Sequence, residues 1–164
     1  MKKRKINKVV MAAMALFLLS ACAGRAETGK AALDFSLNDI SFNKVNLSSF
    51  KGKVVILNFF ATWCPPCKAE IPDFIDLQNE YGDQIAFIGV SQEGAGILRP
   101  FVARLGINYT VLEDPSKKAY TAYGPIRGVP TTFIIGKDFV IRKIYIGARP
   151  RETFERDIKE LLAQ

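Results

Sequence analysis

The sequence holds one pair of residues whose types and spacing suit redox chemistry, Cys64 and Cys67. They frame two prolines in Trp-Cys-Pro-Pro-Cys (63–67), directly after an apolar run. Residues three apart share one face of a helix, so the two sulfurs can reach each other. Cys64 lies at the predicted helix start, where free N–H groups and the helix dipole favour its thiolate. We therefore expect Cys64 to attack disulfides and Cys67, one turn deeper, to resolve the mixed disulfide.

Two other interpretations of this cysteine pair remain open from the residues alone. The cysteines could form a static disulfide or fill the core as small residues, and they could be half of a zinc site shared by two chains. The chain contains no histidine, which excludes Cys-His catalysis, imidazole zinc sites and histidine-ligated haem. Its 3 cysteines are too few for a four-cysteine metal site. No metal and no cofactor are therefore predicted.

The net charge of +7 overstates how basic the folded part is. The first eight residues contain five of the 23 basic residues, and no acidic residue occurs before Glu27. Without them, 18 basic residues face 16 acidic ones. A nucleic-acid partner is not predicted, because phosphate binding needs clustered positive charge.

Residues 1–21 have the layout of a secretory signal peptide. A basic stretch is followed by an apolar run at 9–19 and then by small residues. That run has 11 residues, too few to span a bilayer as a helix. The segment therefore predicts export from the cytoplasm.

The residues at the end of this signal peptide predict how the mature protein is attached to the membrane. Leu-Ser-Ala-Cys (19–22) resembles a bacterial lipobox, in which the cysteine is acylated and becomes the new first residue. We therefore expect a lipidated Cys22, followed by a tether at 22–30. The alternative is an ordinary signal peptide cleaved before Gly24, which would release a protein without an anchor.

Residues 31–164 are predicted to form one α/β domain with a mixed central sheet flanked by helices. The continuous apolar run at 54–60 is typical of a strand that is covered on both faces. Residues 39–44 are predicted to form a turn. The predicted strands are 33–37, 54–60, 85–90, 109–112, 131–135 and 139–146, and the predicted helices are 65–81, 96–105, 116–123 and 152–162.

Two segments in the expected order resemble extracytoplasmic thioredoxin-like proteins of the TlpA/ResA/CcmG group. They are the stretch at 58–70 around the cysteine pair and the motif Gly-Val-Pro-Thr-Thr-Phe at 128–133. The resemblance implies a thioredoxin fold with a strand-helix insertion near 91–114. It also implies a cis Val129–Pro130 bond that faces the cysteines and presents backbone groups to a partner strand.

Three residues beside the cysteine pair are candidate substrate-binding residues, namely Trp63, Val129 and Pro130. Val129 and Pro130 receive this role from the resemblance. Trp63 adjoins Cys64 and could line a groove for the partner, although it could equally close the core.

Glu70 matches an acidic position found in several proteins of this group. It follows Cys67 by three residues, so it could accept the proton of Cys67 during resolution. The equally weighted alternative is a solvated helix acid beside Lys68. Asn58 stands where general thioredoxins carry a buried Asp, and it cannot ionise, which would leave proton transfer to Glu70. Glu93, Arg99 and Arg104 are interpreted as solvated.

The resemblance implies a membrane-tethered, extracytoplasmic thiol–disulfide oxidoreductase that acts in the reducing direction. Its expected partners are oxidised proteins, apocytochrome c among them, and a membrane thiol-reductase that donates electrons. The protein itself is expected to be a monomer. One alternative is a thiol peroxidase of the peroxiredoxin type, and another is a lipoprotein chaperone or binding module without turnover.

Overall fold

In the computed structural model, which describes residues 26–164, the strands form one mixed sheet. In chain order the strands are β1 (Ser36–Asp39), β2 (Lys44–Asn46), β3 (Val54–Phe59), β4 (Ile85–Ser91), β5 (Thr110–Glu113), β6 (Thr131–Ile135) and β7 (Ile141–Ile146). Across the sheet they lie in the order β2-β1-β5-β4-β3-β6-β7. Strands β3, β4 and β5 are parallel, and the other neighbours pair antiparallel.

Helices cover both faces of the centre of this sheet. They are α1 (Pro65–Tyr81), α2 (Ala95–Leu105), α3 (Lys118–Tyr123) and α4 (Arg151–Leu162). Val54 and Ile56 of β3 belong to the core shared with α1 and α4, whereas Val55 and Leu57 belong to the core beneath α3. Every residue of β3 is buried, which explains why the run is apolar on both of its faces.

Helix α1 places the cysteine pair at the carboxyl end of β3. Cys64 is its N-cap, and Pro65 and Pro66 occupy the first turn, where a proline costs no intrahelical hydrogen bond. The helix ends at Gly82, whose φ of +52° is readily adopted only without a Cβ. The helix predicted at 65–81 is confirmed.

The sequence prediction differs from the structure mainly at the amino-terminal edge of the sheet. The first strand is Ser36–Asp39 instead of 33–37, and β2 begins at Lys44, the last residue of the segment that was predicted as a turn. Strand β2 has only 3 residues, mostly polar ones, so no alternating pattern revealed it. Helix α2 and strand β5 form the predicted insertion.

The predicted signal peptide at 1–21 and Cys22 lie outside the described residues. Within the described part of the tether predicted at 22–30, Ala26 is buried, and the Gly29 N–H donates to the Ile141 carbonyl at 2.8 Å. Ala26 and Gly29 therefore make contacts with the domain. Between residues 26 and 164, no helix has the length and apolar content to cross a membrane.

Candidate active site

Cys64 and Cys67 are joined by a disulfide at the start of α1, with their Cα atoms 5.3 Å apart. Both cysteines are buried. The backbone N–H of Cys67 points at the Cys64 sulfur, 3.2 Å away. Because Pro65 and Pro66 have no N–H, this amide is the first one of the helix that can reach the sulfur. The described residues hold no cluster of three or more potential metal ligands.

The loop before β6 lies against the disulfide. The peptide bond between Val129 and Pro130 is cis, which confirms the expectation drawn from the family resemblance. The Val129 carbonyl oxygen is 3.6 Å from the Cys64 sulfur, and the Pro130 carbonyl accepts the Gly147 N–H at 2.8 Å. A second cis bond, Gly124–Pro125, occurs in the same loop and was not predicted.

An open cavity of about 200 Å³ is lined by Trp63, the residue before Cys64, and by Val129. Its walls include the exposed Arg127 and the following residues: Phe60, Trp63, Glu93, Tyr120 and Val129. The Trp63 side chain is 72% exposed, so the alternative that it closes the core is wrong.

Glu70 is buried at 3% exposure, so the alternative of a solvated helix acid is wrong. Its Oε1 accepts the backbone N–H of Arg149 at 2.7 Å, while its Oε2 has no hydrogen-bond partner among the described residues. Burial raises the pKa of Glu70 to about 7, and the Arg149 hydrogen bond and charge partly oppose this rise. The side chain can therefore exchange a proton near neutral pH.

Asn58 occupies a buried position on β3. Its Nδ2 donates to the Thr132 Oγ1 at 2.9 Å, which joins β3 to β6 through their side chains. An amide does not titrate in this range, so the position supplies a structural hydrogen bond and no proton.

Glu93 was interpreted as solvated, and this prediction is wrong. The residue is half-buried in the loop after β4, and its carboxylate accepts hydrogen bonds from Thr62, two residues before Cys64. Thr62 is 31 positions away in the chain, so no local pattern could have indicated this contact. Arg99 and Arg104 are exposed, as predicted.

Comparison with known proteins assigns the chain to a family. Residues 28–144 match the model of the AhpC/TSA family. The chain belongs to the AhpC/TSA family. This family includes the thioredoxin-like group that the sequence resembles, and the mixed sheet flanked by helices is a thioredoxin fold.

Three similar proteins indicate which kind of AhpC/TSA protein this chain is. The chain is 35% identical to thioredoxin-like protein YneN of Bacillus subtilis, covering 80% of this chain and 79% of that protein. It is 30% identical to the thiol-disulfide oxidoreductase ResA of Geobacillus thermodenitrificans, covering 96% and 98%. The exposed lipoprotein thioredoxin Etrx1 of Streptococcus pneumoniae superposes with a TM-score of 0.70 at 30% identity, covering 79% and 100%. This chain is therefore a thiol–disulfide oxidoreductase.

The raised pKa of Glu70 predicts how stability depends on pH. The folded protein holds this proton more tightly than the unfolded chain, whose carboxyl has a pKa near 4.5. Protonation of Glu70 therefore stabilises the folded protein. This contribution is complete below pH 4.5 and is lost as pH rises through about 7. Relative to Glu70→Gln, which cannot ionise, we expect the oxidised wild type to lose about 3 kcal/mol of unfolding free energy over this range.

Urea unfolding of both proteins from about pH 4 to about pH 9 measures this difference. The comparison isolates Glu70, because every other titrating group is common to the two proteins. A constant difference across the range would show that Glu70 is not buried with a raised pKa.

Proposed function

We propose that this protein is a membrane-tethered, extracytoplasmic oxidoreductase that reduces protein disulfides through Cys64 and Cys67. The observation that carries the proposal is the position of the Cys64 sulfur. It lies at the start of α1, beside the Val129 carbonyl, and both Val129 and the neighbouring Trp63 line an open cavity. A helix N-terminus favours the thiolate form, and the cavity leaves room for a partner to approach.

The first step is attack by the Cys64 thiolate on a substrate disulfide. A bond forms between Cys64 and one substrate sulfur, and the other substrate sulfur leaves as a thiolate. The Cys67 N–H points at the Cys64 sulfur, where it stabilises the negative charge before attack. This arrangement makes Cys64 the attacking residue of the pair.

The second step is release of the substrate by Cys67. Cys67 loses its proton and attacks the Cys64 sulfur, which displaces the substrate's remaining thiolate and restores the disulfide. Two electrons have then passed from the cysteine pair to the substrate. Glu70, one helical turn after Cys67 and with a pKa of about 7, is suited to accept this proton.

Substrate docks beside the disulfide in this proposal. The loop at Val129 and Pro130 offers backbone groups to an extended segment of the partner, and Trp63 supplies an exposed apolar surface. Such contacts place the target disulfide within reach of Cys64.

The reducing direction and the partners come from the resemblance to the TlpA/ResA/CcmG group. A membrane thiol-reductase would reduce the Cys64–Cys67 disulfide, and the protein would then reduce the cysteines of apocytochrome c or another oxidised protein. A monomer would suffice for this reaction, because one chain supplies both the attacking and the resolving cysteine.

The membrane tether rests on the lipobox-like residues that end at Cys22. One relative, Etrx1, is described as an exposed lipoprotein thioredoxin, which supports the same arrangement here. Two or more acyl chains on Cys22 would give stable anchoring, because each buried CH₂ contributes about 0.8 kcal/mol.

Trapping of mixed disulfides tests the redox function. In Cys67→Ser the second step cannot occur, so substrate should accumulate as a covalent adduct on Cys64. Adducts from cells are resolved on non-reducing gels and identified by mass spectrometry, with Cys64→Ser as the matched control. Adducts that are equally abundant in both variants would refute attack by Cys64. Full function in cells of the double variant, in which Cys64 and Cys67 are both replaced, would favour the alternative of a binding module without turnover.

The role of Glu70 is tested by the pH dependence of resolution. With Glu70 as proton acceptor, the rate of mixed-disulfide resolution should rise with pH through about 7. In Glu70→Gln that rise should disappear, and resolution should begin only where Cys67 ionises unaided. Stopped-flow mixing of the reduced protein with a small disulfide measures the rate, and identical pH profiles would contradict the proposed role.

Mass spectrometry of the mature protein tests the anchor. We expect an acylated Cys22 at the amino terminus and recovery of the protein with the membrane fraction. Cys22→Ser should leave the protein unacylated and absent from that fraction. An unmodified terminus at Gly24 in the wild type would show that the signal is an ordinary one.

A further inference from the structure

A hydrogen-bonded connection joins the loop before Cys64 to the loop after β4. The Thr62 backbone N–H donates to the Glu93 Oε2 at 2.7 Å, and the Thr62 hydroxyl donates to the Glu93 Oε1 at 2.6 Å. One carboxylate therefore holds both the main chain and the side chain of Thr62. Hydrogen bonds to an ionised acceptor are about twice as strong as neutral ones.

The segment that Glu93 holds is the turn that presents the attacking cysteine. The Cys64 N–H donates to the Ala61 carbonyl at 3.2 Å, which closes a turn with Thr62 and Trp63 at its centre. A shift of Thr62 would therefore move Cys64 relative to the first amide of α1. Since Cys64 is the N-cap, the alignment of its sulfur with the Cys67 N–H depends on this turn.

Glu93 is itself fixed by its neighbours. The buried Ser91 donates its hydroxyl to the Glu93 Oε2 at 3.1 Å and accepts the Glu93 N–H at 3.2 Å. Two residues further on, the Ala95 N–H donates to the Glu113 carboxylate of β5 at 2.8 Å. The Glu93 carboxylate is therefore held in place independently of Thr62. The contact with Thr62 fixes few additional groups and costs little conformational entropy.

We propose that Glu93 is a positioning residue for the reduced state of the enzyme. In the oxidised state the bond between Cys64 and Cys67 fixes the Cys64 sulfur to α1 independently of Thr62. After reduction that bond is gone, and the contact between Glu93 and Thr62 remains to hold the turn. Glu93 then keeps Cys64 aligned for attack without touching the substrate or the sulfur.

This proposal rests on Cys64 being the attacking residue, and it predicts that the two half-reactions respond differently. Reaction of the reduced protein with a disulfide should depend on the Thr62 hydroxyl. Reduction of the protein's own disulfide by dithiothreitol should not depend on this hydroxyl. A residue needed only for the stability of the fold would affect both half-reactions alike.

The test uses Thr62→Val, which removes the hydroxyl donor and keeps the branched shape, in the full chain carrying Cys22→Ser. We expect the reduced variant to react with an aromatic disulfide reagent about tenfold more slowly than the reference, since a hydrogen bond to a charged group is lost. Reduction of its disulfide by dithiothreitol should stay within about twofold of the reference rate. Thr62→Ser, which retains the hydroxyl, should restore the rapid reaction.

A Thr62→Val protein with the reference rate in both directions would overturn the proposal, as would equal slowing in both directions. Failure of Thr62→Ser to restore the rate would also overturn it. If near-ultraviolet circular dichroism shows that Thr62→Val is unfolded, the same two reaction rates are measured for Glu93→Gln instead. Its amide is uncharged and has one acceptor oxygen, so it cannot bind Thr62 through two carboxylate oxygens. Failure of the reference protein to react with the reagent would instead refute the catalytic role of Cys64.

Discussion

The active site depends on the position of one sulfur atom at the start of α1. Two prolines follow Cys64, so the first backbone N–H that can reach its sulfur is that of Cys67. Any displacement of the turn before Cys64 weakens this contact with the helix terminus, and the dipole effect falls off within one turn. The surrounding structure accordingly holds that turn from several sides: β3 lies below it, the Val129 loop faces the sulfur, and Glu93 binds Thr62.

Burial of Glu70 lowers stability at neutral pH. A carboxyl group with a raised pKa is charged in the unfolded chain over a range in which the folded protein prefers it neutral. The Glu70 Oε2, which has no hydrogen-bond partner between residues 26 and 164, adds to this unfavourable contribution. A protein selected for stability alone would have an apolar residue at this place on α1. Such a locally unfavourable group beside a reactive pair is expected where the group exchanges protons during the reaction.

The sequence predicted the features that local patterns encode. Residues 65–81 were predicted as a helix because proline opens the segment and Gly82 closes it. A strand was predicted at 54–60 because the segment is apolar at every position but Asn58, as a buried parallel strand requires. The surroundings of Glu70 and Glu93 could not be predicted in this way. Arg149 is 79 positions from Glu70, and Thr62 is 31 positions from Glu93. Such contacts form only when distant segments meet, so a pattern read along one helix or loop cannot reveal them.

Membership in the AhpC/TSA family establishes the fold, whereas the residues around Cys64 decide between disulfide exchange and peroxide reduction. A peroxidatic cysteine would be preceded by Pro and Thr in the pattern Pro-x-x-x-Thr-x-x-Cys, but here Leu57 and Ala61 occupy those positions, and Leu57 is fully buried in the core. Peroxide reduction requires donors that stabilise a leaving oxygen. Cys64 instead has a second cysteine one turn away, to which it is joined by a disulfide, and a backbone carbonyl 3.6 Å from its sulfur. These neighbours suit a reaction in which sulfur is the nucleophile, the centre attacked and the leaving group.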